Sequence, residues 1–344
     1  MTVTDFNPRG LLRNPHVQSI LASSGVRRFV LRHKREALER DSIEHILDAG
    51  DGIRLQGFHT RQQVLERPRA LAILLHGWEG SAQSSYVLNT ASRLLEDGCD
   101  VFRLNLRDHG DTHHLNPELF HSCRIDEVVG AVKHIAQLFN ERPLVIGGYS
   151  LGGNFALRVA LRAPAAGIPL TWTFAVCPVI SPHAGLASIE NAPWIYEHYF
   201  MIKWRASLRR KQALFPQQEL FSKDELRGNM RELTRNMVLR HTDFGSLENY
   251  LDGYSIAGDT LSALHVPASI LTAADDPVIP VAEFRALRLA PTTDLTIVEH
   301  GGHCAFIADW SLHSWAEDFV ISHLERAIGA REDAEIGVAA SGAA

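Results

Sequence analysis

The chain has few cysteines, and their spacing excludes a disulfide-rich fold. Its 344 residues include four cysteines, Cys99, Cys123, Cys177 and Cys304, with no CxxC pair among them. Thiols this few and this far apart argue against a disulfide scaffold of the kind found in small secreted proteins. We therefore expect free thiols in a reducing compartment, which predicts a cytoplasmic location.

The chain also lacks long apolar runs and an excess of positive charge. Its first ten residues have no apolar core of a signal peptide, and no uncharged apolar run approaches the ~20 residues of a transmembrane helix. The formal net charge of −6 gives no indication of a nucleic-acid partner. Residues 201–215 are basic and partly apolar, but the acidic balance of the chain disfavours contact with a membrane surface.

What the chain does contain is an alternation of strand-like and helix-like segments. This pattern predicts an α/β fold with a mostly parallel central sheet flanked by helices, opened by an antiparallel pair at residues 42–48 and 53–60. Residues 183–261 break the alternation, because they are rich in aromatic and basic residues and contain no buried-strand run.

The same alternation predicts the domain organisation. We expect residues 1–182 and 262–329 to form the core, with a leader at 1–40, and residues 183–261 to form a helical cap insertion. The small and polar residues 330–344 are predicted to be a disordered tail.

One pentapeptide, Gly148-Tyr149-Ser150-Leu151-Gly152, points to chemistry. It is a G-x-S-x-G pattern with a strand-like run before it and a helix-like run after it. That context is typical of a nucleophile elbow, in which a sharp turn exposes the serine hydroxyl above the sheet edge. Ser150 is therefore the candidate nucleophile.

A serine nucleophile needs a general base and an acid that orients the base. Two later loops, each following a predicted strand, supply these residue types in the order Ser, Asp, His. We predict His303 as the base in preference to His300, because Gly301 and Gly302 allow a tight turn toward the serine. For the acid we predict Asp276 in preference to the adjacent Asp275.

An oxyanion hole needs two backbone N–H groups near the nucleophile. The N–H of Leu151, directly after Ser150, is one candidate. The second is the N–H of Trp78, in the loop His76-Gly77-Trp78-Glu79-Gly80 that follows another predicted strand.

A rival site lies in the loop Arg107-Asp108-His109-Gly110-Asp111-Thr112-His113-His114. Histidines and aspartates at short spacing can hold zinc or a pair of metal ions. Because the strict H-x-H-x-D-H and H-E-x-x-H patterns are absent, we favour a polar loop and predict that no metal and no organic cofactor takes part.

Taken together, these motifs resemble the α/β-hydrolase superfamily, and more narrowly the YheT-like hydrolases, which are related to eukaryotic abhydrolase-domain lipases and plant embryogenesis-associated proteins. The segment that discriminates this branch is Asn14-Pro15-His16-Val17-Gln18. We expect it to pack the leader against the sheet rather than to act in catalysis.

The resemblance implies a serine hydrolase that cleaves carboxylic esters of short-chain or lipid-like acyl groups, with Ser150, Asp276 and His303 as its triad. The expected partner is a small-molecule ester with an apolar acyl or alcohol group. An acyltransferase that uses the same triad, a non-catalytic binding protein of the same fold and a metallohydrolase are the alternatives. Because Trp78 and the Arg107 loop depart from the pattern of many relatives, substrate preference cannot be carried over.

Overall fold

A computed structural model describes residues 6–23, 27, 32–140 and 142–341 of the chain. Eight strands form one sheet in the order β1-β2-β4-β3-β5-β6-β7-β8. The strands are Ser42–Asp48 (β1), Arg54–Thr60 (β2), Leu71–Leu75 (β3), Asp100–Leu104 (β4), Leu144–Tyr149 (β5), Leu170–Val176 (β6), Ala268–Ala273 (β7) and Thr293–Val298 (β8).

The sheet is antiparallel at one edge and parallel elsewhere. β2 pairs antiparallel with both β1 and β4, and every other neighbouring pair is parallel. The inner strands β3, β4 and β5 are buried at every position, as expected for strands covered on both faces. The predicted α/β fold, with its antiparallel opening pair, is confirmed.

Helices cover both faces of the sheet and extend beyond it. They are Pro15–Ser23 (α1), Arg32–Arg40 (α2), Ser85–Glu96 (α3), Ile125–Leu138 (α4), Leu151–Ala166 (α5), Pro182–Asn191 (α6), Ile195–Leu214 (α7), Met230–His241 (α8), Leu247–Asp252 (α9), Val281–Arg285 (α10) and Trp315–Ser341 (α11). Two apolar clusters, one on each face, fill the space between the sheet and these helices.

Helices α6 to α9 follow β6 and precede β7, and no strand interrupts them in the described chain. They share their own apolar cluster, to which Trp204, Leu233 and Met237 contribute. The helices of this insertion therefore bury apolar side chains mainly against one another, while Tyr196 and Ile189 pack against the core of the sheet. We call α6 to α9 the cap.

The carboxyl-terminal segment differs from the prediction. Instead of a disordered tail from residue 330, helix α11 runs without interruption to Ser341, and residues 342–344 lie outside the described part of the chain. The residues after Gly329 are mainly alanine, glutamate and arginine, which favour helix, and one glycine costs a helix only about 1 kcal/mol.

The longest apolar runs of the described chain are strands and core segments. Across the part of the chain that the structure describes, no helix has the length and apolar character needed to cross a bilayer.

Candidate active site

Ser150 lies in the turn between β5 and α5, at the carboxyl edge of the sheet. Its backbone has φ 52° and ψ −120°, a conformation that non-glycine residues rarely adopt. The Ser150 N–H donates to the carbonyl of Val176 on the neighbouring strand at 2.9 Å. Such strain persists only where surrounding structure enforces it, and it is typical of a functional turn.

The two glycines of the pentapeptide allow this turn to pack closely. A Cβ on Gly148 would lie 2.5 Å from the backbone of Gly152, and a Cβ on Gly152 would lie 2.4 Å from the carbonyl oxygen of His76. Any side chain at either position would clash, so the sharp turn requires glycine on both sides of Ser150.

A continuous chain of hydrogen bonds joins Ser150 to His303 and Asp276. His303 Nε2 lies 3.0 Å from Ser150 Oγ, and His303 Nδ1 lies 2.9 Å from Asp276 Oδ2. A carboxylate can accept a hydrogen bond but cannot donate one, so His303 Nδ1 carries the ring proton. The lone pair of Nε2 is then free to accept the proton of the Ser150 hydroxyl. The structure thus brings together the three residues that the sequence analysis selects.

The groups around these hydrogen bonds favour a positive charge on the His303 imidazole. Burial by itself lowers the pKa of His303, but the Asp276 carboxylate, with a smaller effect from Cys304, raises that pKa well above its ordinary value. Oδ1 of Asp276 also accepts the N–H groups of Val278 and Ile279 at 2.8 and 3.0 Å, which fixes the carboxylate in place.

The rejected candidates, Asp275 and His300, face each other instead. Asp275 Oδ2 lies 3.4 Å from His300 Nδ1, and Asp275 Oδ1 accepts the N–H of Gly302 at 2.9 Å. Asp275 therefore holds the loop that carries His303, and neither it nor His300 is joined to Ser150 by a hydrogen bond in the described residues.

Both residues predicted to supply oxyanion donors border the same cavity as Ser150. Leu151 is the first residue of α5, so its N–H has no acceptor within the helix. The N–H of Trp78 has no acceptor among the described residues, whereas the N–H of Gly77 next to it donates to the Tyr86 hydroxyl at 2.9 Å.

Helix α1 contacts the loop of His303 directly, a contact that the sequence analysis missed. The His303 N–H donates to Ser19 Oγ at 3.0 Å, and a Cβ on Gly302 would lie 2.6 Å from the carbonyl oxygen of Pro15. Gln18, fully buried, bonds the backbone N–H and carbonyl of Ile307 at 2.7 and 3.0 Å. The Asn14–Gln18 segment thus belongs to a helix that supports the predicted base.

Ser150 lies between two spaces of different character. On one side is a cavity of about 120 Å³, lined mainly by apolar cap and core side chains such as Leu186, Phe200 and Met237. On the other side is a cleft of about 670 Å³ that includes His303 and the charged side chains of Glu79 and Lys203. The apolar cavity suits a hydrocarbon group, and the polar cleft suits water or a polar group.

Glu79 contributes an unusual carboxyl group to the polar cleft. Burial raises its pKa to about 8, although the nearby Lys203 ammonium opposes this shift. The residue also has φ 54°, in the left-handed region. A carboxyl group that stays protonated near neutral pH can donate a hydrogen bond in the cleft.

The loop proposed as a rival metal site has other partners. Asp108 forms a buried ion pair with Lys211 of α7, at 2.6 Å. His109 Nδ1 bonds the Arg107 carbonyl at 2.7 Å, and its Nε2 accepts the Glu79 N–H at 3.1 Å. Because both ring nitrogens of His109 are engaged by backbone groups, the loop joins the cap to the core rather than presenting a ligand set.

Two cysteines near His303 also escaped the sequence analysis. Cys304 Sγ lies 3.8 Å from His303 Nε2, and the Cys304 N–H donates to Cys177 Sγ at 3.4 Å. Burial raises the pKa of the Cys304 thiol, but its contact with Cys177 and the charge on His303 outweigh burial and lower it to about 6. Their position could have been inferred, since Cys177 follows β6 and Cys304 follows His303 at the same sheet edge.

The comparisons with known proteins agree with this architecture. The chain is 25% identical over 335 residues to YheT of Escherichia coli (strain K12), which carries a provisional esterase name; the match covers 93% of this chain and 94% of YheT. It is also 25% identical to embryogenesis-associated protein EMB8 of Picea glauca, covering 91% of this chain and 70% of EMB8.

A solved structure and a family profile extend the agreement. The esterase PF2001 of Pyrococcus furiosus superposes with a TM-score of 0.55 at 17% identity, covering 85% of this chain and 93% of that one, which shows a shared fold. Residues 72–311 match the profile of the alpha/beta hydrolase family. The predicted resemblance is thereby confirmed, and the chain belongs to the alpha/beta hydrolase family.

Proposed function

We propose that the protein is a serine hydrolase that cleaves carboxylic esters through an acyl-enzyme intermediate. The observation that carries the proposal is the unbroken hydrogen-bond chain from Asp276 through His303 to Ser150. A serine hydroxyl becomes an effective nucleophile when a base within hydrogen-bond reach removes its proton and a third group orients that base.

The proposed reaction proceeds in two steps. His303 Nε2 takes the Ser150 proton as Oγ attacks the ester carbonyl, and it then gives this proton to the leaving alcohol. In the second step His303 takes a proton from water, the hydroxide attacks the acyl-enzyme, and Ser150 recovers a proton as the acid leaves. Asp276 holds the ring and stabilises its charged form.

The oxyanion formed in each step would be held by the N–H groups of Leu151 and Trp78. Each such donor contributes roughly 3 kcal/mol of transition-state stabilisation in comparable enzymes. No metal or organic cofactor takes part in the proposed reaction.

The size of the apolar cavity supports a short acyl group as the substrate. Its volume of about 120 Å³ is similar to the ~150 Å³ of an apolar cavity that holds one benzene molecule. Acyl chains of up to about six carbons would therefore fit without displacement of the cap. Stacking of Phe200 on Trp78, at 5.5 Å between ring centroids, closes part of this cavity.

Acyl transfer to an alcohol uses the same three residues and is the second candidate. The polar cleft of about 670 Å³ beside Ser150 favours hydrolysis, because it gives water room to reach the acyl-enzyme.

A series of p-nitrophenyl esters tests the proposal. We expect kcat/KM to be highest for butyrate or hexanoate and to fall for dodecanoate, with activity abolished in Ser150→Ala and retained in Ser262→Ala, a change at an exposed serine. A yield of free acid that stays constant when ethanol is added would support hydrolysis. Ester product in proportion to ethanol would instead favour acyl transfer, and equal activity of Ser150→Ala and wild type would refute both.

A further inference from the structure

Three potential metal-ligand atoms lie together beside Ser150. Cys177 Sγ, His303 Nε2 and Cys304 Sγ all lie within 4.8 Å of one another, and this is the one such group of three histidine, cysteine or acidic residues in the described part of the chain. Two thiols and an imidazole are the donor set that zinc prefers. We call these three residues the thiol–imidazole cluster.

We propose that the thiol–imidazole cluster is an inhibitory site for a thiophilic divalent cation, with Zn²⁺ as the best fit. In a tetrahedral site with Zn–S of ~2.3 Å and Zn–N of ~2.0 Å, adjacent ligand atoms lie roughly 3.5–3.8 Å apart. His303 Nε2 and Cys304 Sγ are already 3.8 Å apart. Closing the cluster onto one ion therefore requires only small side-chain movements.

The backbone holds both cysteines at the site. Cys177 directly follows β6 and donates its N–H to the Leu271 carbonyl at 2.7 Å, and the Cys304 N–H donates to Cys177 Sγ. Both residues have positive φ, 45° and 59°, so the chain turns at each of them to aim its thiol inward. Their side chains are buried, and the two sulfur atoms lie within 4.8 Å of each other.

An ion can reach the cluster from the polar cleft. His303 and Cys304 both line that cleft, together with Ser150. Binding would release two protons from the cluster to solvent and leave two thiolates and a neutral imidazole on the ion. The fourth position would fall to water from the cleft or to Ser150 Oγ, which lies 3.0 Å from His303 Nε2.

Occupation of the site would stop the reaction, an inference that rests on the proposed function. His303 Nε2 has a single lone pair, which either accepts the Ser150 proton or binds the ion. With the ion bound, Ser150 has no base. Inhibition should be reversed by a chelator, because no covalent bond to carbon forms.

The binding half of the proposal can be tested without any activity. Reduced, EDTA-treated protein is titrated with Cd²⁺ while the ultraviolet thiolate-to-metal charge-transfer band is recorded, and Zn²⁺ affinity is measured by competition. We expect one ion per chain. Removing a group that only hydrogen-bonds a metal ligand already lowers metal affinity by about 10–100-fold. Cys177→Ser and Cys304→Ser each remove a direct ligand, so each should lower the affinity by at least that factor.

A matched control and an independent folding check keep this test decisive. Cys123→Ser, at a half-buried thiol outside the cluster, should bind Cd²⁺ as wild type does. Circular dichroism of each variant establishes that it is folded, and Cys304→Ala provides an apolar replacement beside the polar Cys304→Ser. The site is refuted if wild type gives no charge-transfer band, or if folded Cys177→Ser and Cys304→Ser retain wild-type affinity.

The inhibitory half is tested by labelling Ser150 with a fluorophosphonate at increasing Zn²⁺. We expect labelling of wild type to fall at least tenfold at saturating Zn²⁺ and to recover with EDTA, while Cys304→Ser resists inhibition. Cd²⁺ binding without any loss of labelling would contradict the inhibition. Absence of labelling at zero Zn²⁺ would instead refute the proposed hydrolase mechanism, and the spectroscopic titration would still decide the metal site.

Discussion

Asp275 and Asp276 are adjacent, yet they have different partners. Both lie in the turn that follows β7, where the Asp276 N–H donates to the Ala273 carbonyl, and only one of them faces His303. In the structure Asp276 bonds His303, while Asp275 bonds the Gly302 N–H and lies against His300. The pentapeptide motif could not settle this choice, because both aspartates satisfy the order Ser, Asp, His.

Substitution of each aspartate separates their roles. We expect Asp276→Asn to lower kcat by about 10⁴-fold, since an amide at this position no longer holds the productive tautomer of His303. Asp275→Asn should lower kcat by less than about tenfold, because it alters only the support of the loop that carries His303. Steady-state kinetics with a p-nitrophenyl ester measures both, and a larger loss for Asp275→Asn would mean that the acid is misassigned.

At the scale of elements, α1 supports the loop that carries His303. Ser19 accepts the His303 N–H, and Gln18 bonds Ile307 beyond it, so one helix turn holds the loop at two points. The sequence predicts that the Asn14–Gln18 segment packs the leader against the sheet, whereas the contacts of Gln18 and Ser19 are with the loop of His303 and with Ile307. A contact between residues nearly 300 positions apart leaves no local pattern in the sequence.

Removing the Ser19 hydroxyl should impair catalysis more than binding. We expect Ser19→Ala to reduce kcat by about tenfold, with little change in KM, because His303 loses a support while the acyl cavity is unchanged. Ile20→Ala, an exposed position on the same helix, is the control. An effect confined to KM, or equal losses in both variants, would argue against a positioning role for Ser19.

A second contact between elements joins the cap to the core. Lys211 of α7 reaches Asp108 at 2.6 Å and the carbonyl of Asn116 at 2.5 Å, and both charged side chains are buried. This long-range ion pair gives Asp108 of the polar Arg107–His114 loop a structural role.

Breaking this ion pair should destabilise the protein strongly. Removing one partner of a buried pair leaves an uncompensated charge and typically costs 3–5 kcal/mol, so we expect Lys211→Met to lower the free energy of unfolding by about that amount. Arg210→Ala removes the neighbouring exposed pair with Asp111 and should cost less than about 1 kcal/mol. Urea unfolding measures both, and equal small losses would show that the buried pair contributes little.

At the scale of the whole molecule, the sequence predicted the sheet well and its surroundings less well. Buried strands such as Leu71–Leu75 leave continuous apolar runs, and the nucleophile turn leaves its glycines. The sequence predicts a disordered tail at the Ala- and Glu-rich end of α11, where the structure has helix, because a segment of small and charged residues is compatible with both states. The thiol–imidazole cluster has no local sequence motif, and it follows only from placing Cys177 and Cys304 at the same edge of the sheet.

Buried neutral histidines should make the stability of the whole molecule sensitive to acid. Burial lowers the pKa of His109 to about 4 and that of His76 well below its ordinary value. Between about pH 6.5 and 4 the unfolded chain takes up protons that the folded chain cannot, so the free energy of unfolding falls as pH decreases through this window.

For His109 alone, the lowered pKa corresponds to a loss of up to about 3 kcal/mol at the acid end. His109→Gln should therefore flatten the pH dependence of the urea midpoint between pH 6.5 and 4. His114→Gln, at an exposed position of the same loop, serves as the control. An unchanged slope in His109→Gln would show that His109 is not held neutral in the folded state.

Ser150 is proposed to be a nucleophile activated by His303, and covalent labelling of the serine hydroxyl gives the sharpest test of that role. Wild type, Ser150→Ala and His303→Ala are treated with a fluorophosphonate probe, with and without EDTA, and the modified peptide is identified by mass spectrometry. We expect a single label on Ser150 of the wild type, none on Ser150→Ala, very slow labelling of His303→Ala, and no loss of label with EDTA. Equal labelling of wild type and Ser150→Ala, or none of either, would contradict it.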